Sequence, residues 1–226
     1  MDKFKINGPS KIRGEVSISG SKNAALPILA ATLLFDKNVT IKNLPRVKDI
    51  DTMLNLLKSL GRKISFKNNK KIATISKGKK NNFFAPYSLV KTMRAGILVL
   101  GPLLAKNKKA KVSSPGGCSI GVRPIDIHLK AISKLGVKIQ IEKGYVNAKA
   151  QKGLVGSEIR FSKISVGATE NLILAACLAN GTTTIKNCAI EPEIKDLTNF
   201  LKTAGAKIKW IGKRTLKIEG VKTLKS

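Results

Sequence analysis

Residues 21–65 read SKNAALPILAATLLFDKNVTIKNLPRVKDIDTMLNLLKSLGRKIS, and much of this stretch returns later in the chain. Aligned without gaps on residues 165–209, it is identical at 15 of 45 positions, including Thr-Ile-Lys-Asn at 40–43 and 184–187. A weaker copy lies between them, where Leu-Gly-Val-Lys-Ile at 135–139 resembles Leu-Gly-Arg-Lys-Ile at 60–64. Internal repetition indicates one domain built from similar supersecondary units. The sequence therefore predicts three units of roughly 70 residues that fill 21–226.

Each unit is predicted to contain two helices and a hairpin. The first helix is rich in small and apolar residues, as at 24–34, 90–104 and 168–178. Because such a helix is apolar on nearly every side, it is expected to be buried. The second helix is amphipathic and ends at a glycine, a residue favoured just past helix ends. With β-rich segments between and after these helices, we predict an α/β fold in which mixed sheets surround buried helices.

The first twenty residues do not fit the repeat. Segments 4–6 and 15–18 have the composition of strands and flank Gly8 and Pro9. We expect them to be two opening strands of a neighbouring domain that is otherwise missing, with the repeat domain covering 21–226. Since their sheet partners would lie elsewhere, we also expect them to be poorly anchored.

The charge of the chain is unusual, because 43 basic and 13 acidic residues give a formal net charge of +30. Such a charge makes nucleic acid the first partner to consider. Only seven of the basic residues are arginine, aromatic residues make up 4%, and the lysines are scattered along the chain. Phosphate and base recognition favours arginine, and base stacking needs aromatic side chains. These features disfavour a nucleic-acid-binding protein and favour anionic small substrates, or a missing acidic half of the molecule.

The same composition bears on the cellular compartment. There is no run of 18 apolar residues for a transmembrane helix, and the opening residues do not resemble a signal peptide. The three cysteines, Cys118, Cys177 and Cys188, are odd in number and have no metal-ligand spacing, which argues against a disulfide framework or zinc site. We therefore expect a cytoplasmic protein without a membrane partner.

One loop combines features of a reactive site. Residues 113–126 read SSPGGCSIGVRPID, which places Cys118 among three glycines and a proline. Arg123, five residues later, would lower the pKa of a nearby thiol, so Cys118 is the candidate reactive cysteine. The alternative is an incidental loop thiol. Cys177 and Cys188 have apolar or strand-end settings and are predicted to be structural.

Other polar residues stand at predicted helix starts. Lys22 opens the first helix, where a lysine faces the positive end of the helix dipole unless an anion is held there. Residues 162–167 occupy the equivalent place in the third unit, with free amides suited to a diphosphate. Arg94 lies among apolar neighbours and His128 beside an apolar stripe. Each of these residues also has an interpretation without a ligand. Lys22 would be an ordinary surface lysine, Arg94 part of a structural ion pair, and His128 a structural residue.

Three motifs together resemble the UDP-N-acetylglucosamine 1-carboxyvinyltransferase family. They are Gly-Ser-Lys-Asn-Ala-Ala at 20–25, Pro-Gly-Gly-Cys at 115–118 with Gly121, Arg123 and Pro124, and Ser-Val-Gly-Ala-Thr at 165–169. The resemblance runs along the whole chain, but the family enzyme is nearly twice as long and has two three-repeat domains. It implies an inside-out α/β prism, of which this chain resembles the amino-terminal half. The related enolpyruvyl-shikimate enzymes share this fold but lack the Pro-Gly-Gly-Cys loop.

The resemblance implies an activity and a set of site residues. Family enzymes transfer the enolpyruvyl group of phosphoenolpyruvate to the sugar 3-hydroxyl, release phosphate, begin peptidoglycan precursor synthesis and are targets of fosfomycin. Cys118, on a loop at about 111–123, is implied to be the general acid, and Lys22, Asn23 and Arg123 to contact phosphoenolpyruvate. No cofactor or metal is implied, and the catalytic aspartate is implied to lie in the family's other half, the expected missing partner of this chain. The residues implied to contact UDP-N-acetylglucosamine are Arg94, Arg123, Pro124, Ile125, Asp126, Ile127, Lys163, Ile164, Ser165 and Val166.

Two other functions remain as alternatives at this stage. One is another enolpyruvyl transferase of the shikimate type, which the Cys118 loop disfavours. The other is a nonenzymatic, basic nucleic-acid-binding module, which the net charge favours and the residue composition disfavours. Binding of UDP-sugar compared with salt-titrated binding of DNA would separate the enzyme from the binding module.

Overall fold

The computed structural model describes residues 3–80, 82–114 and 125–225. The first repeat unit folds as predicted, with a buried helix, a strand, an amphipathic helix and a hairpin. Its first helix begins at the Ser21 cap and continues into a short 3-10 helix, Thr32–Leu34. The strands form an antiparallel sheet in the order β1-β3-β2 once numbered along the chain. The elements are α1 (Lys22–Ala31), β1 (Val39–Ile41), α2 (Lys48–Ser59), β2 (Arg62–Lys67) and β3 (Ile72–Lys77).

The second unit departs from the prediction of one helix over 90–104. A 3-10 helix, Arg94–Val99, interrupts that segment. The segment is closely packed, because a Cβ atom on Gly96 would lie 3.0 Å from Val90 Cγ1. Pro102 also lacks an amide hydrogen, which restricts it to the first turn of the following helix. The elements are β4 (Phe84–Ala85), α3 (Tyr87–Val90), α4 (Leu100–Asn107), β5 (Lys109–Ser113), α5 (Asp126–Ser133), β6 (Lys138–Glu142) and β7 (Tyr145–Lys149).

The third unit repeats the first at an offset close to 144 residues throughout. Its sheet has the order β8-β9-β11-β10 once numbered, and β8 runs parallel to β9 as β4 runs parallel to β5 in the second unit. Its helices begin at positions equivalent to those of the first unit, which confirms the predicted order of elements. The elements are β8 (Glu158–Arg160), α6 (Val166–Ala176), β9 (Thr182–Lys186), α7 (Pro192–Thr203), β10 (Lys207–Gly212) and β11 (Thr215–Glu219).

A shared turn ends the second helix of each unit. Gly61, Gly136 and Gly205 follow α2, α5 and α7 with φ of +94°, +82° and +90°. Glycine adopts this left-handed conformation without the steric penalty of a Cβ atom. The three turns therefore explain why glycine stands at all three predicted helix ends.

The helices of the three units pack into one core. α6 is buried along its length from Ala168 to Ala176 and contacts α1, α4, α5 and α7. Phe35 of the first unit contacts Phe200 of the third, with 5.8 Å between ring centroids. Each fully buried leucine in such a core contributes about 1.5–3 kcal/mol. This arrangement of buried helices within sheets matches the predicted α/β prism.

The opening segment differs from its prediction. Residues 3–20 contain no strand, and Phe4 and Ile18 are 98% and 84% exposed. A strand needs a neighbouring strand to satisfy its backbone groups, and none of the described strands pairs with this segment. The two predicted strands at 4–6 and 15–18 are therefore absent from this structure.

None of the helices in the described residues combines the length and the apolar character that crossing a bilayer requires.

Candidate functional site

The predicted site residues that the structure describes lie at the beginnings of helices. Arg94 opens the 3-10 helix of the second unit, and Asp126 and Ile127 open α5, directly after Ile125. Val166 opens α6 after the exposed Lys163 and Ile164. Cys118, Arg123 and Pro124 lie outside the described residues.

The first turn of α6 has the geometry of an anion site. Ser165 caps the helix, because its Oγ accepts a hydrogen bond from the Ala168 amide at 3.3 Å. Its carbonyl accepts hydrogen bonds from the amide and the hydroxyl of Thr169. The amides of Val166 and Gly167 precede any carbonyl that the helix could offer them. They are the groups that a bound phosphate would use.

The start of α1 is built in the same way. Ser21 is the cap, and its Oγ accepts a hydrogen bond from the Ala24 amide at 3.4 Å. Lys22 Nζ lies 2.9 Å from Asp49 Oδ2 at the start of α2, and both side chains are partly exposed. An exposed ion pair of this kind contributes at most about 1 kcal/mol. The Asp49 carboxylate lies beside Lys22, where the sequence predicted a substrate anion. Binding of that anion to Lys22 would require Lys22 to leave Asp49.

A buried histidine joins the beginnings of α5 and α6. His128 is 3% exposed, and a Cβ atom on Gly167 would lie only 3.2 Å from its Cε1. Burial, with a further contribution from the positive charge of Arg94, lowers the pKa of His128 to about 4, although Asp126 opposes the shift. The imidazole is therefore neutral at physiological pH. This position agrees with the structural alternative for His128 and places Arg94 close to both helix beginnings.

Two buried polar residues of α6 were missed in the sequence. Asn171 is fully buried and contacts the 3-10 helix, α4 and His128. Glu170 is 5% exposed, and its pKa is raised to about 8 by burial and by the charges of Glu193 and Glu191. The signal was available, because these residues stand where the first unit has Leu26 and Pro27. A carboxylate and an amide within an otherwise apolar helix indicate a specific buried contact.

The two described cysteines are unreactive by environment. Burial raises the pKa of Cys177 to about 12 and that of Cys188 to about 11. The Cys188 thiol also donates a hydrogen bond to the Arg214 carbonyl at 3.2 Å. Thiols in these settings are poor nucleophiles at neutral pH, as predicted from their sequence context.

One surface cavity adjoins the predicted nucleotide-sugar residues. It has a volume of about 230 Å³ and lies between α5 and β8. Ile127 and Ser162 form part of its wall, next to the beginnings of α5 and α6. Lys130, Lys134 and Arg160 supply positive charge, and Glu158 supplies one negative charge. The lining therefore combines an excess of positive charge with apolar side chains.

A second cavity of about 230 Å³ lies between α4 and the start of β2. None of the predicted site residues that the structure describes lines it. Lys77 and Lys106 both pair with Asp36 there, at 2.8 and 2.7 Å. Hydrogen bonds from these two lysines lower the pKa of Asp36 to about 2. Arg62 donates to the carbonyls of Phe35 and Leu33, at the end of the short 3-10 helix Thr32–Leu34. These cations are used in packing and capping the helix ends.

Residues 6–226 match the family model described as EPSP synthase (3-phosphoshikimate 1-carboxyvinyltransferase). The UDP-N-acetylglucosamine 1-carboxyvinyltransferase of Pelagibacter ubique is 65% identical over 225 residues, which are 100% of this chain and 54% of the relative. The enzyme of that name from Acinetobacter guillouiae is 54% identical, over 99% of this chain and 53% of the relative. The chain thus spans about half the length of the curated relatives that it matches.

Solved structures show the same fold at low identity. The enolpyruvyl transferase NikO from Streptomyces tendae has a TM-score of 0.80 at 22% identity and covers 95% of this chain and 50% of its own. EPSP synthase from Acinetobacter baumannii has a TM-score of 0.76 at 19% identity, over 94% of this chain and 48% of its own. Together with the family match along almost the whole sequence, the fold leads to one conclusion: the chain belongs to the EPSP synthase (3-phosphoshikimate 1-carboxyvinyltransferase) family.

Proposed function

We propose that this chain is the amino-terminal half of a UDP-N-acetylglucosamine 1-carboxyvinyltransferase. The complete enzyme would transfer the enolpyruvyl group of phosphoenolpyruvate to the sugar 3-hydroxyl and release phosphate. The observation that carries the proposal is 65% identity along the whole chain to the Pelagibacter ubique enzyme of that name. The reaction would be the first committed step of peptidoglycan precursor synthesis, in the cytoplasm, and would thereby serve cell shape and division.

The nucleotide-sugar site is proposed at the beginnings of α5 and α6. Arg94, with Arg123 and the segments 124–127 and 163–166, would hold the uridine and the diphosphate. The amides of Val166 and Gly167 support this assignment, because helix starts bind phosphate through unpaired amides and the helix dipole. The positively charged cavity beside Ile127 supplies adjoining space for part of the nucleotide.

The chemistry at phosphoenolpyruvate is proposed to use Cys118 and three other polar residues. Protonation of carbon 3 by the Cys118 thiol makes carbon 2 electrophilic, and the sugar 3-hydroxyl then attacks carbon 2. The C2–O bond to phosphate breaks from the tetrahedral intermediate, and loss of a proton from carbon 3 restores the alkene. Lys22, Asn23 and Arg123 would hold the phosphate and carboxylate. The base that accepts the hydroxyl proton would come from the other half of the enzyme.

The opening segment is proposed to complete a sheet in that other half. Phe4, Ile6, Ile12, Val16 and Ile18 are all highly exposed, although apolar side chains gain stability by burial. Pairing with strands of the second half would bury these side chains and satisfy the backbone of residues 4–6 and 15–18. Residues 1–20 would then belong to one domain and 21–226 to the other.

Calorimetry tests the nucleotide-sugar site. The protein for this test is a chimera in which the chain continues into the carboxyl-terminal half of the Pelagibacter ubique relative. We expect Arg94→Ala and Arg123→Ala each to weaken UDP-N-acetylglucosamine binding about 10- to 100-fold, since a charged hydrogen bond contributes roughly 1.5–3 kcal/mol. Lys209→Ala, which removes an exposed positive charge on β10, serves as the control and should bind normally.

Two outcomes of this calorimetry would count against the proposal. Unchanged affinity in both arginine variants would reject the assigned site. Binding of shikimate 3-phosphate in place of UDP-N-acetylglucosamine would assign the chain to the shikimate branch of the family instead.

A further inference from the structure

Asn171 uses its whole side-chain amide to tie the third unit to the second. Its Nδ2 donates to the Ile97 carbonyl at 3.0 Å and to His128 Nδ1 at 3.3 Å, and its Oδ1 accepts from the Gly101 amide at 2.7 Å. The side chain is fully buried. Three hydrogen bonds from one buried amide thus connect α6 with the 3-10 helix, α4 and α5.

The Asn171 contacts lie at the junction between the 3-10 helix and α4 of the second unit. Gly101 is the second residue of α4, directly after the 3-10 helix, and its amide donates to Asn171 Oδ1. Asn171 caps this helix from another repeat. A Cβ atom on Gly101 would lie 2.4 Å from the Asn171 carbonyl oxygen, so glycine is needed for the close approach. The irregular segment that the sequence did not predict is held by this contact.

The contact between Asn171 and His128 fixes the tautomer of the imidazole ring. Because an amide NH₂ group only donates, His128 Nδ1 must accept, which places the imidazole proton on Nε2. The charged groups that act on the ring are Arg94 and Asp126, and burial keeps the imidazole neutral. Its other side packs against Gly167 in the first turn of α6. His128 therefore acts as a neutral spacer between the beginnings of α5 and α6.

We propose that Asn171 is a positioning residue for the nucleotide-sugar site, an inference that rests on the function proposed above. Asn171 lies on α6 and contacts both the 3-10 helix and α5. These three elements begin at residues assigned to that site, namely Arg94 in the 3-10 helix, Asp126 in α5 and Val166 in α6. Asn171 does not touch the ligand. It holds the cation and the two helix beginnings at fixed separations, which lets them bind one diphosphate-sugar without reorganising.

Nuclear magnetic resonance of the 226-residue chain tests the contact, since His128 is its only histidine. We expect the ¹⁵N signals of His128 to report the Nε2–H tautomer and a pKa near 4. In Asn171→Asp, the carboxylate cannot donate to Nδ1 and favours a charged ring, so the pKa of His128 should rise from its wild-type value. Asn55→Ala, at an exposed site on α2, is the control and should leave the His128 signals unchanged.

Binding to the chimera defined above tests the positioning role itself. Binding is measured at a temperature well below the melting temperature of the variant. We expect Asn171→Asp to weaken UDP-N-acetylglucosamine binding about tenfold. Labelling of Cys118 by fosfomycin in the absence of the sugar should be unchanged. A variant that melts earlier but binds the UDP-sugar normally would reduce Asn171 to a structural residue and overturn the inference. If the unsubstituted chimera binds no UDP-sugar, the proposed function fails and the inference fails with it. Asn171→Gln retains the amide but lengthens the side chain. In this variant, more of His128 should be in the wild-type Nε2–H tautomer than in Asn171→Asp. If the Nε2–H tautomer is no more populated in Asn171→Gln than in Asn171→Asp, the amide contact would be contradicted.

Discussion

Replacing Glu170 by glutamine is expected to stabilise the folded chain by several kcal/mol at pH 8 and to have little effect at pH 4.5. Burial and the nearby Glu193 and Glu191 raise the pKa of Glu170 from 4.5 to about 8 in the folded state. Between these values the unfolded chain releases a proton that the folded chain retains. The wild-type free energy of unfolding should therefore fall as pH rises through this window, by about 1.4 kcal/mol per unit. Glutamine does not titrate and escapes this loss.

Urea unfolding at pH 4.5, 6 and 8 measures the effect of Glu170. The difference in unfolding free energy between Glu170→Gln and the wild type should grow with pH and level off above pH 8. Glu142→Gln, at an exposed position on β6, is the matched control and should shift stability by less than about 0.5 kcal/mol. Equal stabilisation by Glu170→Gln at pH 4.5 and pH 8 would contradict a buried carboxyl that holds its proton.

The second large effect is expected at Gly101. A methyl group at this position would lie 2.4 Å from the Asn171 carbonyl oxygen and 2.7 Å from its Oδ1, inside the core. Two of the three nearest atoms, the Asn171 carbonyl oxygen and the Ala175 amide nitrogen, belong to the α6 backbone, so relief requires α4 and α6 to move apart. Overpacking a core costs about 1–3 kcal/mol, and we expect Gly101→Ala to reach at least the upper end of that range.

Thermal and urea unfolding of Gly101→Ala check this expectation. Gly212→Ala is the control, because a Cβ atom there would meet Thr215 only at an ordinary contact distance of 3.5 Å. The control should unfold within about 1 kcal/mol of the wild type. Similar stability of the two variants would mean that α4 and α6 are less tightly packed than described.

The repeat made most of the fold predictable. Identities between residues 21–65 and 165–209 carry both the buried positions and the helix ends, so units one and three agree with their predicted element order. The second unit was less predictable, because its apolar segment has no periodicity that separates a continuous helix from a 3-10 helix followed by α4. Tertiary contacts from Asn171 decide that geometry, and a contact between repeats leaves no local pattern in the sequence.

The candidate site was predictable where local chemistry marks it. Helix caps, unpaired amides and a cation at a helix start identify the beginnings of α1 and α6. The partner of Lys22 was not predictable, because Asp49 lies 27 positions away in the sequence and approaches only through the packing of α1 on α2. Glu170 and Asn171 stand out in the sequence as polar residues within an apolar helix, but the partners that surround them were not predictable. Their environment depends on α5, α7 and the 3-10 helix, and burial of a polar residue is a property of the assembled core.

The proposed function requires this chain to carry the reactive cysteine and the nucleotide-sugar site of one carboxyvinyl transferase. Mass-spectrometric peptide mapping of the chimera after fosfomycin treatment, with and without UDP-N-acetylglucosamine, tests both parts together. We predict label on Cys118, formed faster when the sugar is bound, because the bound sugar would complete the site that orients the epoxide. Cys177 and Cys188 should remain unlabelled, since burial raises the pKa of both thiols. Label on either buried cysteine, or labelling of Cys118 at a rate that UDP-N-acetylglucosamine does not change, would contradict the account.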